Sequence, residues 1–156
     1  MPVNLRPLLP SDWPLLKAIE LDEESKRFGD DQAFTEEELY AFLVSEHNLK
    51  KHAQFRWVIC RPGESTGLGF IDVFEADFEQ RSAWIGILLL PAARRMGIGS
   101  AALKSLSQQL PELGIDTLFA EVQPDNAASV AFFQKNGFQK HATKGENWVF
   151  IQTCFP

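Results

Sequence analysis

A chain of 156 residues, 45% of them apolar and including 13 Phe and 4 Trp, has the size and apolar content of one packed domain, 1–156, and shows no internal repeat or low-complexity linker. Fifteen Lys and Arg against 21 Asp and Glu give a net charge of −6, which excludes the broad basic surface a nucleic-acid partner requires and favours a cationic one. Cys60 and Cys154 are too few for a disulfide scaffold, and neither they nor His47, His52 and His141 show metal-ligand spacing, so no metal is expected.

The elements follow in order. Val3 to Leu8 alternates apolar and polar residues as a short strand, and no basic leader followed by an apolar stretch opens the chain. No apolar run approaches the ~20 residues that cross a bilayer, so the expected setting is cytoplasmic, without a membrane partner. Ser11-Asp12-Trp13-Pro14 reads as a capped helix start, and Leu15, Leu16 and Ile19 carry that helix to about Glu24. Phe28 to Ala33 reads as loop. Thr35 with Glu38 forms a capping box ahead of Leu39, Tyr40, Phe42 and Leu43, which predicts a second helix. Gln54 to Arg61 and Leu68 to Glu75 read as strands around the Pro62–Gly67 turn, and a polar stretch from Ala76 to Ser82 leads into a further strand, Ala83 to Leu90.

Gly97 to Leu110 is a helix by its apolar face of Ile98, Ala102, Leu103 and Leu106, ended by Pro111 and Gly114 before a strand from Asp116 to Gln123. A short helix opens at Asp125-Asn126 and ends at Asn136-Gly137. Trp148 to Thr153 closes the chain as a strand after the turn Lys144 to Asn147. The order predicts an α+β fold: a mixed, mostly antiparallel central sheet of six to seven strands flanked by about four helices.

The run from Leu88 to Ser100 is the most informative segment, because an apolar strand passes into a glycine-softened helix start. Gly97 and Gly99 lack a Cβ and let a pyrophosphate approach the first free N–H groups of the helix, with Arg94 and Arg95 as cationic donors beside it. A nucleoside-triphosphate loop is excluded, since no lysine follows the glycines, and the dinucleotide fingerprint fails at Leu103.

Arg94-x-x-Gly97-x-Gly99, after an apolar strand and opening a helix, resembles the signature of GNAT-type acyl-CoA N-acetyltransferases. The block Asn126-x-x-Ser129-x-x-x-Phe133-x-x-x-Gly137-Phe138 is similar to a second stretch of that family, and the element order agrees from Val3 to Thr153. The resemblance implies the GNAT-like fold and acetyl-CoA as cosubstrate. It implies that the backbone of Arg95, Met96, Gly97, Ile98, Gly99 and Ser100, with Arg94 beside it, holds the pyrophosphate. The main chain at Leu88 and Leu89 would pair with the pantetheine arm, and Asn126, Ser129 and Phe133 would contact the coenzyme. The Leu89 N–H would be the oxyanion donor.

Acetyl transfer to an amine requires a neutral nucleophile, hence a base. Asp72, Glu121 and Glu75 lie on predicted strands, and alternation puts Phe70, Asp72 and Phe74 on one face with Ile71, Val73 and Glu75 on the other. Asp72 and Glu121 are the base candidates. Phe133 stands where many relatives carry a Tyr that protonates the leaving thiolate, and a phenyl ring donates no proton. No cysteine has a basic neighbour in sequence, so direct attack in a ternary complex is expected rather than a covalent enzyme intermediate.

The acceptor is expected to be a primary amine, small or at the end of a peptide, chosen by the amino-terminal helices and the loops near 28–34 and 142–147. Leu5-Arg6-Pro7-Leu8 followed by Asp12 is similar to relatives that acetylate protein amino termini. The alternatives are a catalytically silent acyl-CoA sensor and an interaction domain that binds no coenzyme. Apolar strand content fits a monomer or a homodimer.

Overall fold

A computed structural model describes residues 2–21 and 34–154. Its strands are β1 (Asn4–Pro7), β2 (Phe55–Cys60), β3 (Gly67–Asp77), β4 (Ser82–Leu89), β5 (Thr117–Val122), β6 (Gln139–Lys144) and β7 (Asn147–Thr153). The helices are α1 (Trp13–Glu20), α2 (Glu36–Val44), α3 (Leu49–His52), α4 (Ile98–Gln109) and α5 (Ala127–Lys135). The strands form one sheet in the order β1-β2-β3-β4-β5-β7-β6, antiparallel throughout except for β4 against β5. The expected mixed α+β sheet is therefore present.

Alternation along β2 and β3 feeds two cores. Trp57, Ile59, Ile71 and Val73 point to the face covered by α4, where Ile98, Ala102, Leu103 and Leu106 pack, and α5 adds Phe133. Val58, Cys60 and Phe70 point to the other face, beneath Leu16 and Ile19 of α1 and Leu39 and Leu43 of α2. Strands covered on both faces read as continuous apolar runs, which is why the sequence shows little alternation there.

Several local readings hold in detail. Thr35 caps α2 with its hydroxyl on the Glu38 N–H at 3.1 Å, and the Glu38 carboxylate returns to the Thr35 N–H at 3.2 Å. Others need correction. The first helix is described only to Glu20, with Leu21 after it, and the expected extension to Glu24 and the loop from Phe28 to Ala33 lie outside the described residues. Two elements escape sequence reading: α3 is a single turn capped by Asn48, and β6 is exposed at every position, so neither carries an apolar period. Glu75 sits at a bulge between Phe74 and Asp77 with φ of 48°, out of the alternation expected of it.

Asp12 does not cap α1. A turn of 3₁₀ helix, Pro10–Asp12, precedes that helix, and the Asp12 carboxylate receives the Leu9 N–H at 2.7 Å and two Arg6 nitrogens at 2.8 Å each. Arg6 also donates to the Ser65 carbonyl at 2.8 Å. The Arg6 and Asp12 pair that resembled a substrate-class signature is thus a clamp joining β1, the 3₁₀ turn and the β2–β3 connection.

Burial alone would raise the Asp12 pKa. The Arg6 hydrogen bonds, the Leu9 N–H and the Arg6 charge outweigh it and hold the carboxyl below the usual range. A depressed carboxyl pKa contributes stability above the unfolded-state value of about 3.9, which is lost as pH falls through the folded value. Wild type is therefore expected to lose denaturant stability below about pH 4, and Asp12→Asn to be less stable at neutral pH with a flatter acid limb, measured by urea unfolding across pH 3 to 7. Parallel acid limbs would remove Asp12 from this role.

Candidate active site

Parallel pairing between β4 and β5 covers only Ser82–Trp84 against Thr117–Phe119. Beyond it, β4 continues to Leu89 while pairing with β3 alone among the described residues. The two strands therefore part like the arms of a V. The Leu90 N–H donates to the Leu68 carbonyl at 2.9 Å, toward β3. Strand alternation consequently turns the N–H groups of Ile87 and Leu89 the other way, into the cleft, while that of Ile85 faces the last rung of the seam at Phe119. This is an edge that a chain of amides can pair with.

The cleft leads to the glycine turn. Pro91–Ala93 forms one 3₁₀ turn, Arg95 takes a left-handed φ of 63° and Gly97 one of 77°, and α4 begins at Ile98 with no side-chain cap. The first-turn N–H groups at Ile98, Gly99 and Ser100 have no intrahelical acceptor and carry the positive end of the helix dipole. A Cβ on Gly97 would meet nothing within 4 Å, so the space above it is open. Arg95 and Met96 are exposed and Arg94 is half-buried.

Gly99 differs from Gly97. It is buried, and a Cβ there would come within 3.1 Å of the Phe132 ring and 3.7 Å of Leu89. Its missing side chain makes room for α5 rather than for a ligand, while its N–H stays in the open first turn. Ser100 accepts from the Asn136 amide at 3.1 Å, which ties the start of α4 to the end of α5. In sequence Asn136 reads only as a helix stop, because its partner is 36 residues away.

Asn126 caps α5 by accepting the Ser129 N–H at 3.2 Å. Phe133 is 8% exposed and packs edge-to-face on Phe132 and Phe138, with ring centres 5.1 and 5.0 Å away. It is a core ring, and the aromatic at the glycine turn is Phe132.

The base candidates stand in contrasting surroundings. Asp72 gives both carboxylate oxygens to Arg56, each at 2.7 Å, and Arg56 also holds Glu20 at 3.0 Å. The Arg56 side chain, 12% exposed, lies over the Phe70 ring at 4.5 Å and the Phe42 ring at 5.4 Å. Burial opposes its charge, yet Asp72 and Glu20 raise its pKa above the ordinary value. Glu121 is exposed, accepts from the Asn147 amide at 2.6 Å and lies 3.4 Å from the Lys144 ammonium. It stands two residues past Phe119, the last β5 residue paired with β4, and so on the wall of the cleft.

Beside the Arg56 cluster, on the face covered by α1 and α2, lies a cavity of about 530 Å³. Phe34, Phe42, Phe55 and Phe74 line it together with Glu20, Glu38, Glu46, Asp72, His47 and His52. Lys51 and His52 donors hold the Glu46 carboxyl below its ordinary pKa. Tyr40 is outside the lining, exposed on α2 and edge-to-face with Trp13 at 5.5 Å. Both cysteines are buried, and burial pushes the Cys154 thiol up, which suits neither for nucleophilic work. Among the described residues no group of His, Cys, Asp and Glu has a metal-binding arrangement, and no helix is long and apolar enough to cross a membrane.

A family model described as "Acetyltransferase (GNAT) domain" matches residues 3–139. The chain is 25% identical over 105 residues to the ribosomal protein bS18 alanine N-acetyltransferase of Escherichia coli K12, covering 67% of this chain and 70% of the relative. Its fold is similar to that of a spermidine N-acetyltransferase from Vibrio cholerae in complex with CoA and spermine. The TM-score is 0.80 at 15% identity, over 97% of this chain and 95% of the other. A ribosomal L7/L12 α-N-protein acetyltransferase in complex with coenzyme A superposes with a TM-score of 0.81 at 18% identity, over 98% and 94% of the two chains.

Proposed function

The chain belongs to the GNAT acetyltransferase family, and from that premise we propose that residues 1–156 act as one domain that moves an acetyl group from acetyl-CoA to a primary amine by direct attack. The observation that carries the site assignment is the parting of β4 and β5 beside an uncapped helix start. The N–H groups of Ile87 and Leu89 suit the amide-rich arm of the cosubstrate, as a further strand would pair. The first turn of α4, with Arg94, Arg95 and Met96 at its mouth, suits the pyrophosphate. Asn126 and Ser129, at the start of α5, are the further residues assigned to the coenzyme.

Acetyl-CoA supplies the activated acyl group; the other tasks fall to this chain. The Leu89 N–H faces the cleft at the end of β4, five residues past the seam, and is assigned to donate to an acyl oxygen as negative charge grows on it. Glu121 takes the proton from the acceptor ammonium, directly or through water. Asp72 is unsuited to that task, since a guanidinium already occupies both of its oxygens. With Phe133 in place of a proton donor, the thiolate leaves to solvent and is protonated there. Family names also support the acceptor class: relatives of this fold act on a ribosomal protein alanine and on spermidine.

Thiol release from acetyl-CoA across polyamines, aminoglycosides, amino acids and peptides tests the activity. Turnover of at least one amine class is expected, whereas binding without any turnover would make the chain a sensor. Glu121→Gln is expected to lower kcat by about 10²-fold or more, with the acetyl-CoA Kd unchanged, and to flatten the acid side of the pH profile. An unaltered kcat would leave the base elsewhere. Cytoplasmic residence and a small-amine acceptor belong to the same proposal.

A further inference from the structure

Gly86 lies on β4 directly opposite Asp72 of β3. Alternation puts it on the sheet face of Trp84 and Leu88, away from α4. Trp84 pairs with Phe119 across the parallel seam, so two residues onward Gly86 on β4 is level with Glu121 on β5. The position without a side chain is thus paired with the locked carboxylate on β3 and faces the cleft-wall carboxylate of Glu121 across the parted strands. A Cβ added to Gly86 would meet one neighbour only, the Phe74 ring at 3.7 Å, an ordinary contact. The backbone there has no left-handed φ that would demand glycine. Neither packing nor conformation accounts for the missing side chain, and its effect is a shallow gap in the sheet face.

The gap leads somewhere. Phe74 forms its rim and also lines the 530 Å³ cavity, whose aromatic walls and carboxylates Glu38 and Glu46 suit a cation. Arg56 neutralises Glu20 and Asp72 within that lining. The carboxylate of Glu38 keeps one oxygen on the Thr35 N–H, and that of Glu46 is shared by Lys51 and His52; both residues are exposed. From the level of Leu88 to that of Trp84, β4 rises about 13 Å at about 3.3 Å per residue.

We infer that Gly86 is a specificity-determining residue, the floor of a channel for an unbranched aliphatic amine. The reacting nitrogen lies at the cleft beside Glu121, the methylene chain crosses Gly86, and a second cationic nitrogen ends in the phenylalanine-lined cavity. The space of one absent side chain beside the Phe74 ring admits a methylene chain and rejects a branched one. This inference rests on the acetyl-transfer reading and sharpens its acceptor.

The test is a graded series, Gly86→Ala, Gly86→Val and Gly86→Leu, in the full chain. Acetyl-CoA Kd is measured by calorimetry, and steady-state kinetics are run with n-butylamine, 1,4-diaminobutane, spermidine and an alanine-initiated peptide. Wild type is expected to favour the linear di- and triamines over n-butylamine by about tenfold or more in kcat/KM. Each added carbon at position 86 is expected to raise KM for those amines stepwise, about tenfold or more by leucine, with the acetyl-CoA Kd within about twofold of wild type.

A linear-amine KM indifferent to the series, or a preference for the peptide that the series leaves untouched, overturns the inference while the transferase reading stands. Failure of wild type to turn over any amine overturns the transferase reading itself. Should the leucine variant not fold, alanine and valine carry the same gradient, because an alanine Cβ meets only an ordinary contact.

Discussion

Gly97→Glu is expected to weaken acetyl-CoA binding by at least about 100-fold, close to abolition in calorimetry, while the chain remains folded. Two effects add. The space above Gly97 is open, so a glutamate side chain projects into the room left for the pyrophosphate without displacing protein atoms. Its carboxylate brings like charge to the positive end of α4, and one charge facing a diphosphate in a partly desolvated site costs several kcal/mol. The φ of 77° separately lowers stability, by strain of about 1–2 kcal/mol for any side chain, without bearing on affinity.

Gly97→Ala separates these effects, since it carries the strain without the charge or the length. It is expected to lower stability by about 1 kcal/mol and to bind acetyl-CoA nearly as wild type does. Gly99→Ala should behave oppositely: its Cβ presses on Phe132, so thermal stability falls before affinity does. Wild-type affinity in folded Gly97→Glu would refute the placement of the pyrophosphate at this turn.

Arg56→Ala is expected to destabilise the fold by about 3–5 kcal/mol, the usual cost of breaking a buried ion pair by removing one partner. The reason lies in what it leaves behind. Asp72 and Glu20 converge on one guanidinium from β3 and α1, with side chains only 21% and 13% exposed, and without it two carboxylates face each other with little water. The ring contacts to Phe70 and Phe42 disappear as well.

The same principle predicts rescue. Arg56→Met combined with Asp72→Leu and Glu20→Leu is expected to recover most of the loss, because apolar groups of similar volume replace a buried ionic cluster at little net cost. Urea unfolding of the single and triple variants decides the matter. A single variant within about 1 kcal/mol of wild type would mean that water already reaches the cluster.

What could be read in the chain beforehand, and what could not, divides by distance along it. The Thr35 and Glu38 box, the Asn126 cap and the helix entry at Gly97 are written within four residues each, and all three appear where the local chemistry places them. The partners of Arg56 lie 16 and 36 residues away, so nothing near it in sequence marks it as the hub of a cluster beside the cavity under α1 and α2. Asp72 illustrates the consequence: strand alternation put it on the correct face, yet only the fold reveals the guanidinium that occupies both oxygens. Gly99 matches the motif as well as Gly97 does, but its missing Cβ serves Phe132, a residue of the following helix. β6 escaped because an exposed edge strand needs no apolar period.

The short seam between β4 and β5 also shapes the energetics of the whole molecule. Three rungs of parallel ladder, with the core beneath α4, join a four-stranded block to a three-stranded one. A cosubstrate laid along the parted strands, as proposed above, would act as the missing rungs of the ladder. By mass action, a ligand present at 100 times its Kd adds about 2.7 kcal/mol to the stability of the form that binds it. For such a chain, persistence against unfolding and proteolysis follows the supply of its own donor, so the loaded molecule is the durable one.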